Sequence, residues 1–167
     1  MERIDTETLR RLIDAHGAAL TLYARQWCRA PDDALQEALI DLLRQRPVPE
    51  RPAAWLFKTV RRRAMNLARG ERRRVEHHRE AGRQREAWFV DDVDEAIDGE
   101  TLERLIERLP PLEREIVVAR IWGGLSFERI AELVETSSSS AHRRYRRALA
   151  MLGDMMNGKP DRLGPAR

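Results

Sequence analysis

Residues 126–152, SFERIAELVETSSSSAHRRYRRALAML, constrain the chain most, because two helical periodicities there are separated by only a short polar break. Phe127, Ile130, Ala131 and Val134 fall at i, i+3, i+4 and i+7, one face of a helix. Ser126 stands where an N-cap belongs, and Glu128 in the first turn complements the helix dipole. The turn is read as Glu135-Thr136-Ser137. A second helix opens from the serine run 137–140, whose hydroxyls can accept the orphan N–H groups of a helix start. Its apolar face is Ala141, Tyr145, Ala148, Leu149 and Leu152. Its other face carries His142, Arg143, Arg144, Arg146 and Arg147. No acidic residue lies between Ser137 and Met151, so that face has no ion-pair partner on its own helix. Two helices, a tight turn and a cationic second helix make a helix-turn-helix pattern. The second helix is expected to enter a DNA major groove with these five side chains, while Ser138, Ser139, Ser140 and the helix N-terminus meet phosphates. The bland alternative is a solvated basic face on an ordinary core helix.

The rest of the chain bears on that choice through its charge distribution. The net charge is only +3 across 167 residues, but basic and acidic zones are segregated. Lys58, Arg61, Arg62, Arg63, Arg69, Arg72, Arg73 and Arg74 are opposed only by Glu71 within residues 58–74. Asp91, Asp92, Asp94, Glu95, Asp98 and Glu100 follow soon after. Arginine far outnumbers lysine, which suits bidentate contacts to phosphate and guanine. This is a nucleic-acid-type distribution.

In chain order, residues 5 to about 29 read as one helix with the stripe Leu9, Leu12, Ile13, Leu20, Tyr23 and Trp27. Ala30-Pro31 breaks it, and Asp32 or Asp33 is expected to cap a second helix reaching about Gln45. Leu35, Ala38, Leu39, Leu42 and Leu43 form its apolar side. Gln36, Glu37, Asp41 and Arg44 form the other. Pro47, Pro49 and Pro52 mark a stiff loop, with Pro52 in the first turn of a third helix. Trp55, Leu56, Val60, Ala64, Leu67 and Ala68 are its apolar side. Trp55 and Phe57 precede the basic run by one to two turns, an arrangement that suits single-stranded DNA, where bases stack on rings and arginines track phosphates. Both rings equally suit a plain core. Periodicity returns at Glu100 with Leu102, Leu105, Ile106 and Leu109. Pro110-Pro111 starts the next helix, with Leu112, Ile116, Val117 and Ile121 inward, and Gly123-Gly124 ends it.

The expected fold is therefore all-α, with two small helical modules and a flexible linker. Residues 1–74 form a three-helix module, 75–99 the linker, 100–156 a module with the helix-turn-helix, and 157–167 a disordered tail. The single cysteine, Cys28, excludes an intrachain disulfide and reads as a small apolar filler. No apolar run reaches the ~20 residues that cross a bilayer, and the N-terminus is not a signal peptide, so a cytoplasmic protein is expected. His77 and His78 are adjacent and lack a second ligand pair, so no metal site and no cofactor are expected. There is no Gly-rich phosphate loop and no nucleophile–base pattern, so an enzyme is not expected.

Both halves, in this order, resemble a bacterial RNA polymerase sigma factor of the extracytoplasmic-function (ECF) type. The resemblance covers roughly residues 9–74 and 100–153. PDDALQEALIDLLR (31–44) resembles the core-polymerase-binding helix of sigma region two. AWLFKTVRRRAMNLARGERRR (54–74) resembles the promoter-melting, minus-ten-reading helix. IERLPPL (106–112), then GGLSFERIAELV and the arginine helix, resembles region four, which reads the minus-thirty-five element. The chain departs from the pattern in places: Glu135-Thr136 replaces Gly plus an apolar residue, Arg62 a frequent Asn, Asn66 a frequent Asp, and Ser138 to Ser140 a more varied turn. The resemblance implies a specificity subunit that binds core RNA polymerase and promoter DNA, with an anti-sigma factor as a further partner. It implies polymerase contacts at Asp33, Gln36, Glu37, Asp41 and Leu42. Minus-ten contacts and melting would fall to Trp55, Phe57, Lys58, Arg61, Arg62, Asn66, Arg69, Arg72 and Arg73. The helix-turn-helix alone would also suit a polymerase-independent transcriptional regulator. The helical faces alone would suit an adaptor protein.

Overall fold

The computed structural model describes residues 3–77 and 97–158, with side chains from 3–75 and 102–158. The described residues form α-helices and no strand. They divide into two units, one on each side of residues 92 and 93. Most of the expected linker, the side chains of His77 and His78, and the expected tail from residue 159 lie outside the described residues.

In the first unit, α1 spans Thr6–Ala24, α2 Pro31–Arg44 and α3 Pro52–His77. Asp5 caps α1: its carboxylate accepts from the Thr8 N–H at 2.8 Å and the Thr8 hydroxyl at 2.6 Å. The expected single helix to residue 29 stops five residues early. Gln26 N–H turns back to the Tyr23 carbonyl and Trp27 N–H to that of Ala24, so three-residue closures tighten and end the helix. Neither Asp32 nor Asp33 caps α2. Pro31 takes the first helical position after Ala30, which leaves both aspartates inside the first turn, where they still complement the dipole.

The α2–α3 seam is narrow. Ala34, Ala38 and Leu42 sit one turn apart on α2 and are fully buried, as are Leu56, Phe57, Val60 and Ala64 on α3. Small residues at i, i+4 let two helix backbones approach closely. Leu43, expected on the apolar side, is instead 45% exposed, because it leaves α2 away from the Ala34–Ala38–Leu42 row. Tyr23 of α1 closes the core, edge-on to Phe57 at 5.2 Å and to Trp27 at 4.8 Å. Cys28 is buried, its thiol donating weakly to the Ala24 carbonyl at 3.7 Å. Burial pushes this thiol up to about 11. Native protein at pH 8 should therefore alkylate with iodoacetamide far more slowly than protein in urea; equal rates would show an open site.

In the second unit, α4 spans Ile97–Glu107, α5 Pro111–Ile121, α6 Phe127–Val134 and α7 Ser138–Met156. Helix α5 is the centre, with Glu113, Glu115, Ile116, Val117, Val118 and Ala119 all buried. Helices α6 and α7 pack on it and on each other. Because α5 is enclosed on several sides, its inward set is Ile116–Ala119 rather than one stripe, and Ile121, expected inward, is 49% exposed. On α7, Ala141, Ala148 and Leu152 are buried while Leu149, expected on the same face, is exposed. Gly124 turns the chain out of α5 at φ +63°, and Leu125 N–H returns to the Ala119 carbonyl.

Ser126 and Ser137 cap the two helices of the turn motif, accepting from the N–H groups of Arg129 (3.4 Å) and Ser140 (3.2 Å). Between them Glu135 adopts φ 57°, ψ 50°, and the Thr136 N–H reaches the Ala131 carbonyl at 2.9 Å. This is the left-handed position that glycine takes without a Cβ penalty. Glu135→Gly should stabilise the unit by about 1 kcal/mol. Thermal unfolding checks this, and an unchanged or lower midpoint would contradict it.

Candidate nucleic-acid and polymerase interfaces

On α3 the outward stripe is Lys58, Arg62, Asn66, Arg69 and Arg73, spaced i, i+4, i+8, i+11 and i+15, with Arg72 beside it. All six are exposed. Trp55 is half-buried. Phe57 is a correction: its side chain is fully buried against Tyr23, so it is core and not a ring offered to DNA. Its place follows from the helix period, since Phe57 falls three residues, one turn, before Val60 on the row that continues to Ala64. Arg61 is half-buried, its guanidinium over the Trp27 ring at 5.7 Å.

On α2 the residues expected at the polymerase separate. Asp33 and Gln36 are exposed. Leu42 is at 0% exposure and cannot form a surface, a second correction. Asp41 is largely occupied by α3: its Oδ2 accepts from Arg63 Nε at 2.9 Å and Nη2 at 2.5 Å, with Arg62 Nη2 at 3.5 Å. Glu37 pairs with Arg63 Nη1 at 3.2 Å. The hydrogen bond to Asp41 pushes the Arg63 guanidinium up from its usual value. The outward stripe of α2 is instead Asp33, Gln36, Ile40 and Leu43, at i, i+3, i+7 and i+10. Ile40 and Leu43, each 45% exposed, were missed by the sequence reading. A stricter helical wheel would have found them, because they stand opposite the Ala34–Ala38–Leu42 row.

In the second unit, the exposed face of α7 carries His142, Arg143, Arg146 and Arg147, with Ser139 exposed and Ser138 and Ser140 half-buried at its start. Ser139 and Ser137 share a hydroxyl–hydroxyl hydrogen bond at 3.2 Å. Ser140 gives its backbone N–H to the cap. His142 stands edge-on to Phe127 at 4.8 Å, and Tyr145 does so at 5.4 Å, tying α7 to α6. Arg120 braces this joint. It donates to the Leu125 carbonyl at 2.7 Å and lies over the Phe127 ring at 4.8 Å. Arg144 differs from its neighbours. Its Nη1 donates to Glu113 Oε1 at 2.9 Å, and that carboxylate is only 5% exposed. The sequence reading looked for partners along α7 alone and so missed Glu113, 31 residues away in the chain.

No described helix is long and apolar enough to cross a membrane. Among the described residues no group of three or more His, Cys, Asp or Glu could hold a metal ion.

Two family models match the chain: sigma-70 region 2 over residues 12–74 and sigma-70 region 4 over residues 99–152. No curated protein matches it by sequence. Among solved structures it is similar to the sigma factor RpoE from Bartonella quintana, in co-crystal with the anti-sigma factor NepR. The two are 17% identical, with a TM-score of 0.66 over 92% of this chain and 98% of that one. It is also similar to CnrH in complex with the cytosolic domain of CnrY, at 21% identity and a TM-score of 0.58, over 92% and 90% of the two chains. At these identities the structural likeness speaks for the fold. The two region models, which together take in well over half the chain, speak for the family. With α1–α3 as region 2 and α4–α7 as region 4, the chain belongs to the sigma-70 family of transcription initiation factors.

Proposed function

We propose that the chain binds core RNA polymerase, directs it to promoters and helps open the DNA at the minus-ten element. The observation that carries this reading is the pair of outward basic faces, one on α3 within region 2 and one on α7 within region 4. The first tracks the opened strand through Lys58, Arg62, Asn66, Arg69, Arg72 and Arg73, with Trp55 beside it. The second meets the upstream duplex through His142, Arg143, Arg146 and Arg147. Polymerase meets the mixed polar and apolar stripe Asp33, Gln36, Ile40 and Leu43, with Glu37 at its edge. Such a surface, with a few exposed apolar anchors and a polar rim, suits a protein partner. The chain acts in the cytoplasm, where polymerase and promoters are, as a specificity subunit and not a catalyst. Both solved neighbours were captured with a protein partner, one named an anti-sigma factor, which supports a partner of the same kind here.

The test is a transcription assay with purified chain, bacterial core polymerase and a library of promoter fragments. Initiation that depends on the chain, with a shared pair of elements in the selected fragments, is the expected result. Tight, dimeric duplex binding without polymerase and without initiation would establish a polymerase-independent regulator instead. Binding to neither would leave the basic faces as solvated surface and favour an adaptor.

A further inference from the structure

The run Arg61-Arg62-Arg63 looks in sequence like one block of positive charge. In the folded chain the three side chains leave α3 about 100° apart and meet three different environments. Arg61 stacks over Trp27, just beyond the end of α1. Arg63 forks onto Asp41 and reaches Glu37, one turn apart on α2. Arg62 points out, its side chain 64% exposed, with only a long 3.5 Å approach to Asp41.

We propose that only Arg62 of this run binds nucleic acid, and that Arg61 and Arg63 are positioning residues bracing α3 against α1 and α2. The inference rests on the proposed sigma role and assigns parts within it. The bracing has a physical reason. The α2–α3 seam sets Leu42 and Leu56 among the smaller Ala34, Ala38, Val60 and Ala64, and where the facing side chains are small they interlock little and resist rotation of one helix about its axis less. Two N–H groups of one guanidinium converging on a single Asp41 oxygen, with the third nitrogen reaching a second carboxylate one turn away, fix that rotation from one flank. The Trp27 ring fixes it from the other. The rotation decides where the stripe Lys58, Arg62, Asn66, Arg69 and Arg73 faces. It also ties that stripe to α2, whose outer face is proposed to meet polymerase, so the strand-binding row keeps a constant direction relative to the polymerase surface.

The experiment uses full-length chain in holoenzyme with core polymerase, bound to forked DNA carrying the promoter selected in the transcription assay. Affinity is measured across a salt series for Arg61→Gln, Arg62→Gln and Arg63→Gln, for Trp27→Phe and Trp27→Ala, and for Arg63→Lys. Arg62→Gln should lower the slope of log affinity against log salt by roughly 0.7, the loss of one single-strand phosphate contact. Arg61→Gln, Arg63→Gln and Trp27→Ala should weaken binding with the slope unchanged, and Trp27→Phe should bind as the parent does. Arg63→Lys keeps a cation beside Asp41 and Glu37 and should recover part of the affinity that Arg63→Gln loses. A slope drop for Arg63→Gln equal to that of Arg62→Gln, or Arg63→Lys binding no better than Arg63→Gln, overturns the assignment. Thermal unfolding of the free variants adds a readout that needs no DNA. The Asp41/Arg63 double-mutant cycle should show favourable coupling, and zero coupling also overturns the brace. A parent chain that binds neither polymerase nor DNA, with that coupling intact, refutes the sigma reading and leaves the brace standing.

Discussion

Phe57→Ala is expected to unfold the first unit, or bring it close to unfolding, at room temperature. The ring is fully buried where α1 meets α3, edge-on to Tyr23 at 5.2 Å. Truncating a buried phenylalanine costs about 3–5 kcal/mol in lost transfer free energy and residual cavity. A three-helix unit of this size has only about 5–15 kcal/mol of stability in total. At about 4–8 °C per kcal/mol for a small domain, the midpoint should fall by more than about 12 °C. Trp55→Ala, at a half-buried ring, should cost less stability and show its effect in strand opening. Calorimetry together with a permanganate assay for unpaired thymines separates the two. An unchanged midpoint for Phe57→Ala with impaired opening would mean that Phe57 faces DNA and that its place in the core is wrong.

The second large effect is expected where α7, proposed to read the upstream DNA, is tied to the centre of its unit. Glu113 is buried in the first turn of α5 and receives Arg144 Nη1 at 2.9 Å. Removing one partner of a fully buried pair costs about 3–5 kcal/mol, because the other charge is left without compensation. Arg144 is 39% exposed, so water replaces part of what is lost, and about 1–3 kcal/mol is expected for Arg144→Ala. Its neighbour Arg143 is exposed, and its replacement should change stability by less than about 0.5 kcal/mol. The two adjacent arginines should therefore behave differently. Arg143→Ala should weaken holoenzyme binding to the upstream duplex and lower the salt slope by about 0.9 with no change in unfolding midpoint. Arg144→Ala should lower both midpoint and affinity. Glu113→Gln keeps the shape and one acceptor but not the charge, and should fall between them. If both alanine variants bound the upstream DNA as the parent does, α7 would not be the DNA-reading helix.

These cases mark where reading the sequence works. The helices of α2, α3, α6 and α7 are legible because 3.6-residue periodicity, Pro31, Pro52, Ser126 and Ser137 are all local signals. The basic faces of α3 and α7 are legible for the same reason, since a side chain's direction from its own helix follows from spacing alone. What a side chain meets beyond its helix does not follow. Leu42 and Phe57 were assigned to surfaces because each lies within a functional-looking string, and both are core. Leu43 was read as core and Ile40 was given no face, because an apolar residue carries no local sign that it is exposed. Asp41 and Arg63 are 22 residues apart, and Glu113 and Arg144 are 31 apart. Either pair could have been formed otherwise by a different crossing of the same helices.

The sequence by itself determined the class, the order of the helices, the two-module plan and the family, because these rest on periodicity, capping and motifs whose information is confined to one or two turns. Tertiary structure decided which arginines are free to meet a phosphate. Helix packing alone settles which cation finds a carboxylate or a ring at contact distance, and a charge so held is no longer offered to DNA. For the block Arg61-Arg62-Arg63 the same side chain thus stands in three settings, and only the packing of α3 against α1 and α2 tells them apart.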